Sequence, residues 1–413
     1  MKKGIAIFLI SFFVTGLNAQ QKSLDFYIEK AIQNSPVLKE YQGLIMAGKI
    51  DSMRIVAETG PQVNALSNNY LSPVIKGWGF DKAVTDGANL NAVVSVSVQL
   101  TGRQNIQNQF DAVNLQSQSL KNAGKISELD LRKEITDQYL AAYEGWQLYS
   151  YNLEILDVFI KGEPVLKELT AKGVYRQSDY LSFVVNMQKQ EMSVSELRNQ
   201  CQGNIATLNY LCGIEDTTLT PLEDPALKVE GDVDFQNTLF YSKFFIDSLR
   251  LKNADRQIDF SYKPKISLTG EGGYLSSLAY LPYRNFGINA GVSLSIPIYD
   301  GGQRKMQHDR IAIEEMNRNN YQQFFCRQYN QQTGMLFQKL NSCQKQQPQI
   351  SKHITYARAL LETDQALLQT GDISIADYIM AVGNYLEACN MLTENTISSY
   401  RIMNQINYWK RAN

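Results

Sequence analysis

Two histidines, His308 and His353, are all the imidazole in this chain of 413 residues, so a multi-histidine metal centre is excluded. Neither stands near an acid or nucleophile pattern, and each reads as an ordinary helical residue rather than a general base. Five cysteines, at 201, 212, 326, 343 and 389, form no CxxC pair, and their odd number rules out a fully paired disulfide framework. They read as buried packing residues, because free cysteine behaves mostly as a small interior hydrophobe. No nucleophile constellation, metal cluster or phosphate loop appears, so the expectation is no enzyme and no cofactor. Forty Lys+Arg nearly cancel forty-one Asp+Glu, which leaves no electrostatic footprint for nucleic acid. The remaining candidates are carboxylates beside glycines. Asp300 precedes Gly301 and Gly302, where an aspartate can cap a helix while two glycines let the backbone turn sharply. Gly173 stands six residues before Asp179, and Gly371 six before Asp377; Ser374, three before Asp377, has the spacing of a capping box.

The elements that would position these residues begin after a leader. Lys2 and Lys3, an apolar stretch over 5–17 and the ending Leu17-Asn18-Ala19 predict a signal peptide, 1–19, cut before Gln20. No cysteine follows the cut, which disfavours a lipid anchor. No later run of about eighteen apolar residues predicts a membrane helix. Entry into a bilayer therefore requires strands closed into a barrel, the other arrangement that satisfies backbone polar groups in lipid.

Beyond the leader the same order of signals occurs twice, about two hundred residues apart. Pro61-Gln62-Val63 ahead of Tyr70-Leu71-Ser72 returns as Pro264-Lys265-Ile266 ahead of Tyr274-Leu275-Ser276. The run from Val96 to Gly102 returns as Leu294 to Gly301, and both Gly-to-Asp spacings repeat. The reading is a duplication, 20–215 and 216–413, joined in the irregular, Gly- and Pro-punctuated stretch 212–234. Over 286–298 the even positions are apolar and the odd ones polar or small; 91–100 does the same apart from Val93. With weaker partners over 62–71 and 264–274, each half offers a hairpin, about 62–100 and about 264–298, with strands long enough to cross a bilayer at a tilt. Val94, Val96, Val98, Val292, Leu294 and Ile296 form the expected outward set. The alternation by itself fits equally a half-buried hairpin on a soluble domain. After Gly102 and Gly302 come about seventy residues with almost no Gly or Pro, which as helix would reach on the order of 100 Å. Gly162-Glu163-Pro164 and Pro348 are expected to kink these helices or divide them into stacked pairs. Past Gly173 and Gly371 the helical period resumes, giving a long hairpin in each half with its turn near 173–179 and 371–377.

Taken in order, these motifs resemble the TolC-like outer membrane efflux proteins of Gram-negative bacteria, nearly end to end. The strongest likeness is Ile296-Pro297-Ile298-Tyr299-Asp300-Gly301-Gly302-Gln303-Arg304, similar to that family's strand-to-helix junction. Leu208-Asn209-Tyr210-Leu211-Cys212-Gly213 at the end of the first half and both Gly-to-Asp turns add to it. The first junction, Thr101-Gly102-Arg103, lacks the Asp-Gly-Gly. The resemblance implies an α+β membrane protein: a homotrimer in which four strands per protomer build one twelve-stranded barrel, continued by a helical periplasmic tunnel. It implies an outer membrane location and partnership with a periplasmic adaptor and an inner-membrane transporter, in efflux or type I secretion. It also implies that the turns, with Gly173, Asp179, Gly371 and Ser374, touch the adaptor, and that Asp377 belongs to an acidic ring closing the tunnel. Capping by Asp377 alone is the competing account of that residue. Leu368 and Ile373 are apolar where polar lock residues would be expected, so any lock must use other contacts. A soluble periplasmic coiled-coil adaptor or structural protein is the alternative to the conduit.

Overall fold

The computed structural model describes residues 22–81, 87–231, 234–277 and 281–411. The leader and its cleavage site lie outside the described residues, as do short parts of both hairpin loops and of the join between the halves. In chain order the elements are α1 (Leu24–Asn34), α2 (Pro36–Glu58), β1 (Gln62–Leu71), β2 (Ala88–Leu100), α3 (Arg103–Ala171), α4 (Gln177–Leu211), α5 (Leu239–Ser261), β3 (Lys265–Ser276), β4 (Phe286–Ser295), α6 (Gln303–Thr370) and α7 (Ile375–Trp409). The long helices have 69 and 68 residues, and the returning helices 35 each. Local chemistry sets the early boundaries: Ser23 Oγ accepts from Phe26 N at 3.4 Å to cap α1, and Pro36 opens α2, where its missing N–H has no helical partner to lose.

The chain forms two compact units, each drawing on both sequence halves. One, residues 36–127 and 233–329, holds the sheet. Its strands run antiparallel in the order β1-β2-β3-β4, and the register puts like residues on one face. Val63, Val96, Gly270 and Ala290 form one cross-strand row; Ala65, Val94, Gly272 and Ile288 form the next; Val98, Leu268 and Val292 another. The opposite face carries Asn64, Ser95, Glu271 and Asn289 in a row. Because side chains alternate strictly along a strand, a slip of one residue would exchange the faces, so this pattern fixes the register. β4 stops at Ser295 rather than continuing to 298, since Pro297 has no N–H to give a ladder and β3 offers no partner before Lys265. β2 instead starts at Ala88, three residues earlier than the alternation predicts. Below the sheet, Asn253 Nδ2 on α5 donates to Asn108 Oδ1 on α3 at 2.9 Å, and Asn108 Nδ2 donates to Gln257 Oε1 at 2.9 Å. Asn108 Nδ2 also donates back to the Asn253 carbonyl at 3.3 Å, so both side-chain amides are bonded where the two polar helices meet.

The other unit comprises 22–35, 128–231 and 330–411: α1, α4, α7 and the remaining lengths of α3 and α6. One core gathers Tyr27, Ile135, Tyr139, Leu140, Ile205, Leu208 and Ile397; a second gathers Phe159, Leu166, Phe183, Leu361, Leu368 and Tyr378. Cys201, Cys212 and Cys389 are buried in these layers and none of the five cysteines forms a disulfide. Burial pushes the Cys201 thiol up to about 11 and the Cys212 thiol up to about 12, which keeps both protonated and inert. Contrary to the expected joins, α3 and α6 run unbroken through Pro164 and Pro348. Packing outweighs the lost backbone bond: Phe159 and Leu166 are buried on either side of Pro164. Beside Pro348, Asn395 Nδ2 of α7 donates to Gln347 Oε1 at 2.6 Å and to the Cys343 carbonyl at 3.3 Å. Among the described residues no helix is long and apolar enough to cross a membrane.

Candidate functional site

Both helical hairpins end in the same backbone device. At the first turn Val174 N donates to Leu169 O at 3.0 Å and Gly173 N to Thr170 O at 3.0 Å, with Gly173 at φ +78°. At the second, Asp372 N donates to Leu367 O at 3.1 Å, with Gly371 at φ +82°. This is a Schellman-type closure, in which glycine takes the left-handed position that other residues reach only with strain. The two glycines differ in surroundings. A side chain at Gly173 would point into open space, whereas a Cβ at Gly371 would lie 2.6 Å from Val174 Cγ1. The turns therefore touch, and Tyr175 strengthens the contact by donating its hydroxyl to the Ile373 carbonyl at 2.9 Å.

The helices that leave the turns start differently. Ser374 caps α7: its Oγ accepts from Asp377 N at 3.1 Å and donates to Asp377 Oδ2 at 2.6 Å. Asp377 is exposed and stands in the first turn, where its charge also suits the helix dipole. In α4 the cap position is Arg176 and no side chain bonds the helix end; Asp179 accepts from its neighbour Ser178 at 3.3 Å rather than from a basic side chain. Asp364, buried on α6, is shifted up first by burial and then by the charge of Asp377, so two carboxyl groups feel each other across this hairpin.

About three helical turns deeper, three polar side chains tie the two hairpins together. Arg358 Nη2 on α6 donates to Tyr385 Oη on α7 at 2.8 Å, and Tyr385 Oη donates to Glu154 Oε1 on α3 at 3.4 Å. Arg358 also approaches Glu154 at 3.7 Å. Leu368 is buried in the second core and Ile373 is partly buried against it. Any lock between the hairpins is accordingly made by Arg358, Tyr385 and Glu154, each a single polar residue on a polar helix, and by Tyr175 in the first turn, none of which stands out in the sequence.

At the other candidate site Asp300 closes the start of α6, accepting from Gly302 N at 2.8 Å and Arg304 N at 2.7 Å. The Arg304 amide is the chief cause holding the Asp300 carboxyl below its ordinary range. Gly301 and Gly302 lie at φ +66° and +79°. The first junction works without a carboxylate: the Gly102 carbonyl accepts from Asn105 N at 2.9 Å and Gly102 has no left-handed φ. Beside the second junction His308 is not the isolated helical residue expected. Its Nδ1 lies 2.6 Å from Asp255 Oδ1 and its Nε2 3.3 Å from Asp259 Oδ1, which also receives Arg304 Nη2 at 2.7 Å. Both aspartates come from α5, 53 residues earlier in one case, which is why no local pattern announced them. The Asp255 hydrogen bond, with the charges of both aspartates, draws the imidazole pKa above its ordinary value. His353 is exposed on α6. Among the described residues no group of three His, Cys, Asp or Glu could hold a metal ion.

A sheet apolar on one face and polar on the other, continued into paired helical hairpins closed by glycine turns, is the architecture of TolC-family outer membrane channels, and this chain has that fold. It resembles the solved structure of the channel CusC, described for its folding and transmembrane channel formation, with a TM-score of 0.75 and 14% identity over 95% of this chain and 93% of that one. The outer membrane protein VceC of Vibrio cholerae gives a TM-score of 0.72 at 13% identity, covering 94% of this chain and 96% of that one. The open state of the Neisseria gonorrhoeae MtrE outer membrane channel gives 0.72 at 12% identity, covering 94% and 88%. No protein-family profile and no curated sequence matches the chain.

Proposed function

We propose that this protein is the outer membrane conduit of an export system, three copies of which close a single barrel and tunnel. The observation that carries the proposal is the sheet. All four strands share one apolar face, yet β1 and β4 leave their outer edges unpaired. Open edges are not tolerated in lipid, and β1 of one copy pairing β4 of the next would remove them. Ile288 is 91% and Val292 74% exposed in the single chain, surface that a soluble adaptor would present to water and a barrel presents to acyl chains. The structural relatives are channels, which supports transport without chemistry of the chain's own.

On this reading the halves 20–215 and 216–413 arose by duplication and each supplies one hairpin of strands and one of helices. The glycine turns form the periplasmic tip and meet an adaptor, with Gly173, Asp179, Gly371 and Ser374 at the contact and an inner-membrane transporter beyond it. Asp377 lines the closed end. Expression with the leader in a Gram-negative host tests the proposal: the protein should fractionate with outer membrane and run as an oligomer that heating dissociates. Recovery as a soluble periplasmic monomer would refute it. Gly173→Trp, whose Cβ would meet nothing within 4 Å although the left-handed backbone adds local strain, should lower cross-linking to the adaptor while the oligomer persists.

A further inference from the structure

The polar face of the sheet is almost free of charge. Asn, Ser, Gln, Thr and Gly dominate it, and among the described strand residues only Lys265 and Glu271 are charged there. Lys265 is the first residue of β3, at the end nearest the helices. Glu271 stands mid-strand, opposite Ser95 of β2 and Asn289 of β4. Around it lies a cavity of about 350 Å³ walled by Asn91, Asn285 and Asn289 and floored by Gly273 and Gly287.

The floor is built to stay empty. A Cβ at Gly273 would collide with the Ala92 carbonyl and the Val93 Cα, so the strand tolerates no side chain there. Gly287, its partner on β4, faces open space and leaves the niche wide. The walls are rich in acceptors. Asn289 Nδ2 donates to Glu271 Oε2 at 3.2 Å, which orients the carboxylate and leaves its other oxygen available. Asn91 stands four residues from Ser95, the partner of Glu271, about 13 Å along the strand, and borders the far end of the niche. A carboxylate set among amide and hydroxyl side chains, with no opposite charge among the described residues of the niche, fits a cation.

We infer that Glu271 and its niche form a cation subsite inside the barrel, so that the conduit favours monovalent cations, alkali ions and primary ammonium groups over anions. The inference rests on the conduit reading and deepens it. Three copies would place three carboxylates at one height in a lumen whose low-dielectric walls focus their field, and rings of acidic side chains select cations in other pores. Lys265 lies six residues from Glu271, about 20 Å along the strand, beyond a Debye length at physiological salt.

The test uses the purified full-length protein in planar bilayers under a KCl gradient, with methylammonium chloride as a second salt. Wild type should prefer K⁺ to Cl⁻. Glu271→Gln keeps the side-chain volume and the Asn289 contact, and should lower the cation-to-anion permeability ratio at least threefold in both salts. Glu271→Asp should retain most of the preference, and Lys265→Gln should raise it slightly. Equal ratios in wild type and Glu271→Gln, both running as the oligomer, would overturn the subsite and leave the conduit standing. Equal loss in the Asp and Gln variants would also overturn it, since a shape effect would then replace charge. Absence of any conductance in wild type would overturn the conduit and the subsite together.

Discussion

Val96→Lys tests the barrel most directly, because Val96 and Ser97 are neighbours in sequence but belong to opposite faces. Val96 shares a row with Val63, Gly270 and Ala290 and lies two residues from the middle of β2, about 7 Å along the strand. At that depth a lysine on the lipid face costs about 2 to 4 kcal/mol per protomer, on the order of 6 to 12 kcal/mol for three copies. The ammonium cannot escape by snorkelling through Gly270 and Ala290, which offer no bulk to shelter its stem. Ser97→Lys faces the polar side, opposite Thr269 and beside Gln62, and should assemble normally. Leu294 is a weaker probe: one residue from the end of β4, it sits where the cost falls to about 0 to 1 kcal/mol. The assay is the amount of heat-dissociable oligomer in the outer membrane fraction at matched expression. Val96→Lys should remove most of it and Ser97→Lys none. Equal oligomer levels in the two variants would show that the apolar face does not meet lipid.

Three further outcomes follow from the site geometry. Removing the links between the hairpins, Tyr175→Phe together with Arg358→Ala, should raise conductance in planar bilayers several-fold at unchanged oligomer level; wild-type conductance would deny the lock. Asp377→Asn keeps an acceptor for the Ser374 hydroxyl and removes one charge per copy, so it should weaken block by divalent cations from the periplasmic side, and unaltered block would leave Asp377 as a helix cap alone. His308 has a folded pKa raised above its ordinary 6.5, so its contribution is complete below that value and is lost as pH rises through the folded pKa. Thermal stability should therefore decline from about pH 6.5 upward through that window, and His308→Gln should flatten the decline; an unchanged slope in the variant would assign it to another group.

The sequence made the architecture readable because its signals repeat. Period two over the strands and uninterrupted helical period over about seventy residues are long enough to be unambiguous, and each occurs twice. What escaped was short or distant. Asn89 belongs to β2 but precedes the alternating stretch 91–100, and only its pairing with Tyr70 puts it in the strand. Pro164 and Pro348 look like breaks, because the packing that carries the helices past them comes from residues elsewhere in the chain. The caps at Ser374 and Asp300 were visible as local spacings. The ties Tyr175 to Ile373 and Tyr385 to Glu154 join residues 198 and 231 positions apart, and no periodicity marks either end.

The equal helix lengths gain a physical reason from those distant ties. The two hairpins meet at their turns through a hydrogen bond of 2.9 Å and a side-chain contact at Gly371. Each residue added to one long helix moves its turn about 1.5 Å, and one extra turn moves it about 5.4 Å, enough to separate Tyr175 from the Ile373 carbonyl. Lengths of 69 and 68 residues, with 35 in each returning helix, keep the turns within reach. The ends of those helices are under no such constraint and have diverged. The second half carries the serine cap, the buried Asp364 and the packed Gly371; the first carries an Arg176 with no capping bond and an open Gly173. Length is thus held by the contact between the hairpins, while the chemistry at the two turns differs, Gly371 packing against Val174 and Gly173 facing open space.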